Sequence, residues 1–237
     1  ASLLRVTARG IVLAVPARLE GQTEVGAQLD LFSAYVWRGV TYTNKPVAQP
    51  DAWISFPAGN ASITAGGWAN IELGKYDDPD DDLSESGGLS AFNIAEFNPY
   101  AEVSFSAGKA ALTGGIIGYL FPNDLTATSN GGLDSESNTW EVYGTVGFDV
   151  PLAPEFSIYY DFDKVKGAYI EGGGTHSVPV GESHTLDLGA LAGFSLGQGF
   201  SDDDPSFNFA DDGLTHVDFS AGLPLPAGVF SITPLVH

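Results

Sequence analysis

The sequence alternates between apolar and polar residues with a period of two along most of its length. In residues 61–73, apolar residues such as Ile63 and Ile71 take the odd positions, and polar residues such as Thr64 and Asn70 take most of the even positions. Successive side chains of a β-strand point to opposite faces, so this period indicates strands rather than helices. The pattern therefore predicts an all-β chain in which each strand has one apolar and one polar face.

The connections between the predicted strands also alternate, between short and long. The chain contains eleven candidate strands, near residues 24–38, 47–56, 61–73, 93–106, 110–121, 138–150, 155–163, 167–178, 184–197, 213–223 and 228–237. Every second connection is short and rich in Pro or Gly, and the others are longer and polar, apart from a small one at residues 164–166. Barrels that span an outer membrane up and down have this arrangement, with short turns at one end and long loops at the other.

The predicted fold is a transmembrane antiparallel up-and-down β-barrel of about 12 strands, of which 11 are read from the sequence. Bilayer hydrocarbon cannot satisfy the free backbone groups of a sheet edge, so a sheet that crosses it must close on itself. Single-chain bacterial barrels normally have an even number of strands. We therefore hypothesise that the closing strand is missing from this sequence or is supplied by residues before Glu24.

The first 22 residues differ in composition from the rest of the chain. They contain Arg5, Arg9 and Arg18 beside the single acid Glu20, together with a short apolar run at residues 10–17. These features are typical of a signal-peptide remnant, and they fit an N-terminal arm equally well. Residues 23–237 are predicted to form a single outer-membrane barrel domain.

Charge and composition exclude several classes of protein. The chain has 9 Lys plus Arg against 30 Asp plus Glu, which gives a net charge of −21. Proteins that bind nucleic acid neutralise phosphates with basic side chains, so no nucleic-acid partner is expected. Cysteine is absent, which excludes disulfides and Cys-ligated metals. No apolar run approaches the roughly 18 residues of a membrane-spanning helix.

Several short motifs resemble those of the TorF-like porins, a family of bacterial outer-membrane proteins. The strongest is similar to that family's first-strand signature of aromatic, Arg, Gly and hydroxyl residues, Ala34-Tyr35-Val36-Trp37-Arg38-Gly39-Val40-Thr41. Further similarity lies in Gly67-Trp68-Ala69-Asn70-Ile71, Pro99-Tyr100-Ala101-Glu102, Tyr159-Tyr160-Asp161-Phe162-Asp163 and Leu223-Pro224-Leu225-Pro226-Ala227-Gly228. The resemblance runs from about Leu29 to the end. It implies a β-barrel with a channel-like role in the outer membrane, and it supplies no catalytic residue and no known substrate.

The polar strand faces predict a lumen wall that is mostly acidic. The pore-lining candidates are Arg38, Asn70, Glu72, Glu102, Glu141, Tyr143, Asp149, Tyr159, Asp161, Glu171, Asp187, His216 and Asp218. Carboxylates around a water-filled passage favour cations over anions. A plugged interior of hydrogen-bonded polar residues is the alternative, since barrels of this size can be filled by side chains. Arg38 is interpreted as a structural ion-pair partner rather than a clamp for substrate.

Two acidic loops contain the candidate metal ligands. Oxygen ligands suit Ca²⁺ or Mg²⁺, and the candidates are Asp78, Asp80, Asp82, Asp202 and Asp204. Neither loop has the spacing of an EF-hand, so solvated loops are preferred, with divalent bridging to anionic lipid headgroups as the minority hypothesis. No other cofactor is predicted.

The predicted function is passive diffusion of small, preferably cationic or neutral solutes through a porin-like channel in the bacterial outer membrane. No catalytic residues are predicted, and the chain is not expected to be an enzyme. Expected partners are outer-membrane lipid or lipopolysaccharide, small solutes, and further copies of the chain or an outer-membrane assembly. Two alternatives are a non-conducting barrel with a structural, adhesive or packing role, and a secreted soluble all-β domain that binds calcium or resembles a lectin.

Overall fold

The protein is built from β-strands throughout the part that the structure describes. The computed structural model describes residues 10–16, 23–78, 80–88, 91–123, 125–127, 133–135, 137–200, 207–228 and 230–237. The strands are β1 Gly10–Pro16, β2 Glu24–Phe32, β3 Tyr35–Trp37, β4 Val40–Thr43, β5 Val47–Ala58, β6 Ala61–Glu72, β7 Asn93–Ala107, β8 Ala110–Tyr119, β9 Leu125–Ala127, β10 Leu133–Ser135, β11 Thr139–Phe148, β12 Glu155–Asp161, β13 Ala168–Val180, β14 His184–Leu196, β15 Gly213–Gly222, β16 Leu225–Ala227 and β17 Phe230–Val236. Within these residues, no helix has the length and apolar character to cross a membrane.

One antiparallel sheet contains thirteen of these strands, and neighbours along the chain are neighbours in the sheet. Its order is β1-β2-β5-β6-β7-β8-β11-β12-β13-β14-β15-β17-β16. β15 and β16 pair with successive parts of β17, so these two strands share one position in the sheet. The sheet is therefore twelve strands wide. The antiparallel up-and-down order that the sequence predicts is therefore confirmed.

The first strand of the sheet lies in the segment for which a signal-peptide remnant or an N-terminal arm was expected. β1 pairs with β2 on one side, and Gly10 to Ala14 pair with Ser231 to Leu235 of β17 on the other. A strand before Glu24 thus pairs with both the first and the last of the eleven predicted strands.

The predicted strands agree with the observed ones to within a few residues, with one exception. The expected strand 24–38 ends at Phe32, and residues 35–43 form a separate hairpin, β3–β4. The turn of this hairpin is encoded locally, because Arg38 and Gly39 have φ of 49° and 85°, the left-handed pair that a two-residue hairpin turn requires. We call residues 35–43 the inner hairpin.

Two connections that were predicted to be irregular contain short strands. The long connection 122–137 includes the β9–β10 pair, and the predicted turn 224–227 includes β16, which pairs with β17. The β9–β10 pair is a separate small sheet, and β16 extends the large sheet beside β17. Neither changes the order of the other strands.

The sheet buries its polar face and exposes its apolar face. In β12, the side chains of Phe156 and Ile158 are 53% and 50% exposed, whereas Ser157 and Asp161 on the other face are 8% and 0% exposed. Buried polar or charged residues lie along other strands in the same way, including Gln49, Asn70, Glu72, Glu96 and Glu141. A water-soluble domain has the opposite distribution, because burying charge is costly and burying apolar area is favourable.

Small residues on the inner face make room for tyrosine rings that lie across neighbouring strands. A Cβ added at Gly193 would lie 1.9 Å from the Tyr169 hydroxyl oxygen, and one added at Gly115 would lie 2.6 Å from the Tyr143 ring. Glycine at these two positions is therefore a packing requirement of the interior.

We expect Gly193→Ala to destabilise the protein by about 1–3 kcal/mol, because the added methyl group forces Tyr169 from its position. Urea unfolding of the purified protein, followed by tryptophan fluorescence, measures this change. Gly144→Ala is the matched control, since its Cβ would meet nothing closer than 3.9 Å. Equal stability of the two variants would contradict the packing argument.

Candidate functional site

The inner hairpin lies inside the sheet and reaches strands far from its own. Tyr35, Arg38 and Thr43 are all buried. The Trp37 ring lies 5.9 Å from the ring of Tyr119 at the end of β8, measured between centroids. On the other side it stacks on Phe209, which follows β14, at 6.1 Å and an interplanar angle of 3°. The hairpin thus fills the interior between distant strands of the thirteen-stranded sheet, which we call the wall.

The tip of the inner hairpin places one guanidinium group among three rings and a carboxylate. Nη1 and Nη2 of Arg38 donate hydrogen bonds of 2.8 Å to Oε1 and Oε2 of Glu141, respectively. Its Cζ atom lies 4.3, 4.6 and 4.2 Å from the ring centroids of Trp37, Tyr159 and Tyr169. Two parallel charge-assisted bonds and cation–π contacts together make a strong, oriented interaction. We call these five residues the Arg38 box.

Buried carboxylates of the wall also hold the base of the inner hairpin. Tyr35 donates its hydroxyl to Glu96 Oε2 at 2.9 Å, and Thr43 donates to Glu72 Oε1 at 2.8 Å. Glu72 further accepts the hydroxyls of Ser84 and Ser86 and the backbone N–H of Glu85. The hairpin and the connection after β6 are therefore fixed to the same carboxylate.

A pair of carboxyl groups lies beside this anchor. Glu85 accepts a 2.8 Å hydrogen bond from Asn70 Nδ2 and is hydrogen-bonded to Glu96. Burial, followed by repulsion from Glu96, raises the pKa of Glu85 to about 10. Glu85 is thus protonated at neutral pH, and the pair carries one negative charge rather than two.

Two cavities lie at opposite ends of the interior. The loop-end cavity, about 810 Å³, is lined by residues of the long connections together with Trp37, Tyr119 and Glu141. The turn-end cavity, about 850 Å³, is lined by residues of the short turns together with Tyr143, Tyr159 and Glu171. Among the described residues none lines both cavities, and Arg38 and Tyr169 line neither. The Arg38 box therefore lies between them.

The turn-end cavity is acidic. Its described lining includes the carboxyl groups of Glu102, Asp149, Glu155 and Glu171, and one basic residue, Lys109. Such a lining lowers the energy of cations and raises that of anions.

The structure places most predicted pore-lining residues on the inner face. Buried residues are Arg38, Asn70, Glu72, Glu102, Glu141 and Asp161, and half-buried ones are Tyr143, Tyr159, Glu171, Asp187, His216 and Asp218. Asp149 is exposed at a short turn and lines the turn-end cavity.

These residues form several separate groups rather than one site. Arg38, Glu141 and Tyr159 meet in the Arg38 box, and Tyr143 donates a 2.6 Å hydrogen bond to Glu102. Three further members bond to residues outside the predicted set. Asp161 accepts from Thr139 and from three backbone N–H groups, Asp187 accepts from Ser177, and Asp218 contacts His237.

The sequence interpretation missed several residues of the interior. Glu96 shares the parity of Glu102 in β7, and Tyr169 shares that of Glu171 in β13, so the alternation could have identified both. Trp37 and Phe209 belong to connections that fold inward, and no local pattern indicates their partners.

The candidate metal ligands in the first acidic loop bind groups of the protein itself. Asp82 accepts the backbone N–H groups of Asp77 and Asp78, and its carboxylate lies 2.6 Å from Lys45 Nζ. Asp78 accepts the N–H of Asp80. In the described part of the chain, no group of three or more His, Cys, Asp or Glu residues is arranged to hold a metal ion. Asp202 and Asp204 lie outside the described residues.

Comparisons of the chain with family models, with curated proteins and with solved structures found no match. The resemblance to the TorF-like porins therefore stays a prediction from the motifs of the sequence.

We expect Glu141→Gln to destabilise the protein by about 3–5 kcal/mol, because it leaves the buried Arg38 guanidinium without its counter-charge. The double variant Arg38→Met/Glu141→Leu is expected to recover most of this loss, since it removes both charges. Urea unfolding of the purified protein gives both values, and Asp149→Asn at the exposed turn is the control. A loss below about 1 kcal/mol for Glu141→Gln would contradict the role of the pair.

We expect the stability of the protein to fall with rising pH because of the raised pKa of Glu85. The unfolded carboxyl loses its proton near its ordinary pKa of 4.5, whereas the folded one keeps its proton up to about 10. Between these values unfolding releases a proton, so the free energy of unfolding decreases by at most about 1.4 kcal/mol for each pH unit.

Glu85→Gln removes this titration, so its melting temperature relative to the unmodified protein should rise from about pH 5 to about pH 9. Glu182→Gln, at an exposed turn, should leave the pH profile unchanged. Parallel profiles of Glu85→Gln and the unmodified protein would show that the two carboxyls do not share a proton.

Proposed function

We propose that the chain is a bacterial outer-membrane β-barrel that acts as a constricted, passive channel for small cationic or neutral solutes. The observation that carries this proposal is the inverted burial of the sheet, whose apolar face is exposed and whose carboxylates are inside. The hydrocarbon tails of lipid or lipopolysaccharide would cover such a face, as they do in transmembrane barrels.

The pairing of the sheet supports the same proposal. β1 bonds to β2 and to β17, so hydrogen-bond partners are available at both ends of the strand order. A membrane sheet needs this, since an unpaired edge has no water to bond to in hydrocarbon. The proposed barrel thus has twelve strands.

The two cavities support a channel with a central constriction. Solutes would enter polar chambers of about 810 and 850 Å³ and meet the Arg38 box between them. The carboxylates of the turn-end cavity would set a preference for cations. This proposal agrees with what the resemblance to the TorF-like porins implies.

A second candidate, a non-conducting barrel, is favoured by the packing of the same box. Arg38 and Glu141 are 7% and 1% exposed, and three rings surround the guanidinium. An interior filled in this way could have a structural or packing role, alone or with further copies. The exposed apolar face counts against the third alternative, a soluble calcium-binding or lectin-like domain, because water would contact it.

We expect the purified chain, reconstituted in a planar bilayer, to give small current steps that are selective for K⁺ over Cl⁻. Arg38→Ala should raise the single-channel conductance at least about twofold, because it removes the side chain at the constriction. Lys75→Ala is the matched control, since it removes a positive charge from an exposed loop.

The outcomes separate the candidates. Absence of current steps from both the unmodified chain and Arg38→Ala would overturn the channel and favour the non-conducting barrel. A chain that stays monodisperse in buffer without detergent would overturn both barrel proposals.

A further inference from the structure

The Arg38 box has the composition of a binding site for a guanidinium group, and the chain itself supplies the occupant. Both carboxylate oxygens of Glu141 accept bonds from the fork of Arg38, each at 2.8 Å. The rings of Tyr159 and Tyr169 lie at 4.6 and 4.2 Å from its central carbon. A planar fork that pairs with a carboxylate while it contacts aromatic faces is the geometry by which guanidinium is recognised.

The acceptor part of this site belongs to the wall and not to the hairpin. Glu141, Tyr159 and Tyr169 lie on the adjacent strands β11, β12 and β13, and Tyr159 is the direct cross-strand partner of Tyr169. Tyr119 donates a 2.9 Å hydrogen bond to Glu141 Oε2 and so orients the carboxylate. Only Arg38 and Trp37 come from the inner hairpin. The sheet therefore fixes the acceptor groups independently of their present occupant.

Two of these groups each border one of the cavities. Glu141 lines the loop-end cavity, and Tyr159 lines the turn-end cavity. The four carboxylates of the turn-end cavity would concentrate cations next to Tyr159.

We propose that Glu141, Tyr159 and Tyr169 bind the guanidinium group of a solute, and that Arg38 is an internal occupant which such a solute replaces. The inference rests on the proposed function in that it names the preferred class of solute. An alkylammonium ion carries the same charge but lacks the planar fork, so it is bound less well.

Isothermal titration of methylguanidinium into the detergent-solubilised Arg38→Ala variant tests the proposal. Removal of the internal occupant should make binding at least about tenfold tighter than in the unmodified protein. Methylammonium should bind Arg38→Ala at least about tenfold more weakly than methylguanidinium does. The double variant Arg38→Ala/Glu141→Gln, which lacks the carboxylate, should lose the gain. Equal binding by Arg38→Ala and the double variant, or by the two ligands, would overturn the site.

The folding of Arg38→Ala is itself informative, because the variant buries the Glu141 carboxylate without its counter-charge. If the variant folds poorly, methylguanidinium at millimolar concentration should restore folding, measured by the gel mobility of the unheated sample, and methylammonium should not. Failure of methylguanidinium to restore it would overturn the proposal.

Current recordings on the same variants keep this inference separate from the proposed function. Binding of methylguanidinium without current steps would support the guanidinium site and overturn the channel. Current steps without binding would overturn the guanidinium site and leave the channel standing.

Discussion

Buried carboxylates determine the interior of this protein. A carboxylate that leaves water is costly unless charged or polar donors replace the water. Glu72 and Asp161 obtain their donors from hydroxyl and backbone N–H groups of the neighbouring connections, and Glu141 obtains them from Arg38 and Tyr119. Each acid therefore fixes a loop to the wall, so that the positions of the long connections follow from where the strands place their acids.

An exposed carboxylate fixes the loop between β14 and β15 in a similar way. Asp212 accepts the hydroxyl of Ser195 at 2.6 Å and the backbone N–H groups of residues 197 to 199. These bonds lower the pKa of Asp212, with the Ser195 bond as the largest cause. Phe209 precedes this acid in the chain and stacks on both Trp37 and Tyr169, at 6.1 and 5.6 Å between ring centroids. A loop anchored at the end of the sheet thus delivers a ring to the centre of the interior.

The strands could be predicted from the sequence because the alternation is local. Each strand is encoded in its own residues, and the polar face identifies the inward positions, so Glu96 and Tyr169 could have been added to the candidates by parity alone. The inner hairpin is different, because the sequence predicts one strand over residues 24–38 although the alternation lapses at Phe32, Ala34 and Val36. Its partner Glu141 is 103 residues away from Arg38, and spacing along the chain does not encode that contact.

The distribution of basic residues makes the interior depend on a single side chain. No described strand contains Lys or Arg, and every lysine of the chain lies in a connection between strands. Arg38 is the one basic residue that is buried in the described part. The strands of the wall therefore contribute acidic but no Lys or Arg side chains to the interior. The buried positive charge at its centre belongs to the inner hairpin, which is not part of the wall. If the hairpin leaves, Glu141 needs another cation in the same place, because an unpaired buried carboxylate is strongly destabilising. Displacement of the hairpin and binding of a cationic solute are thus linked through one carboxylate.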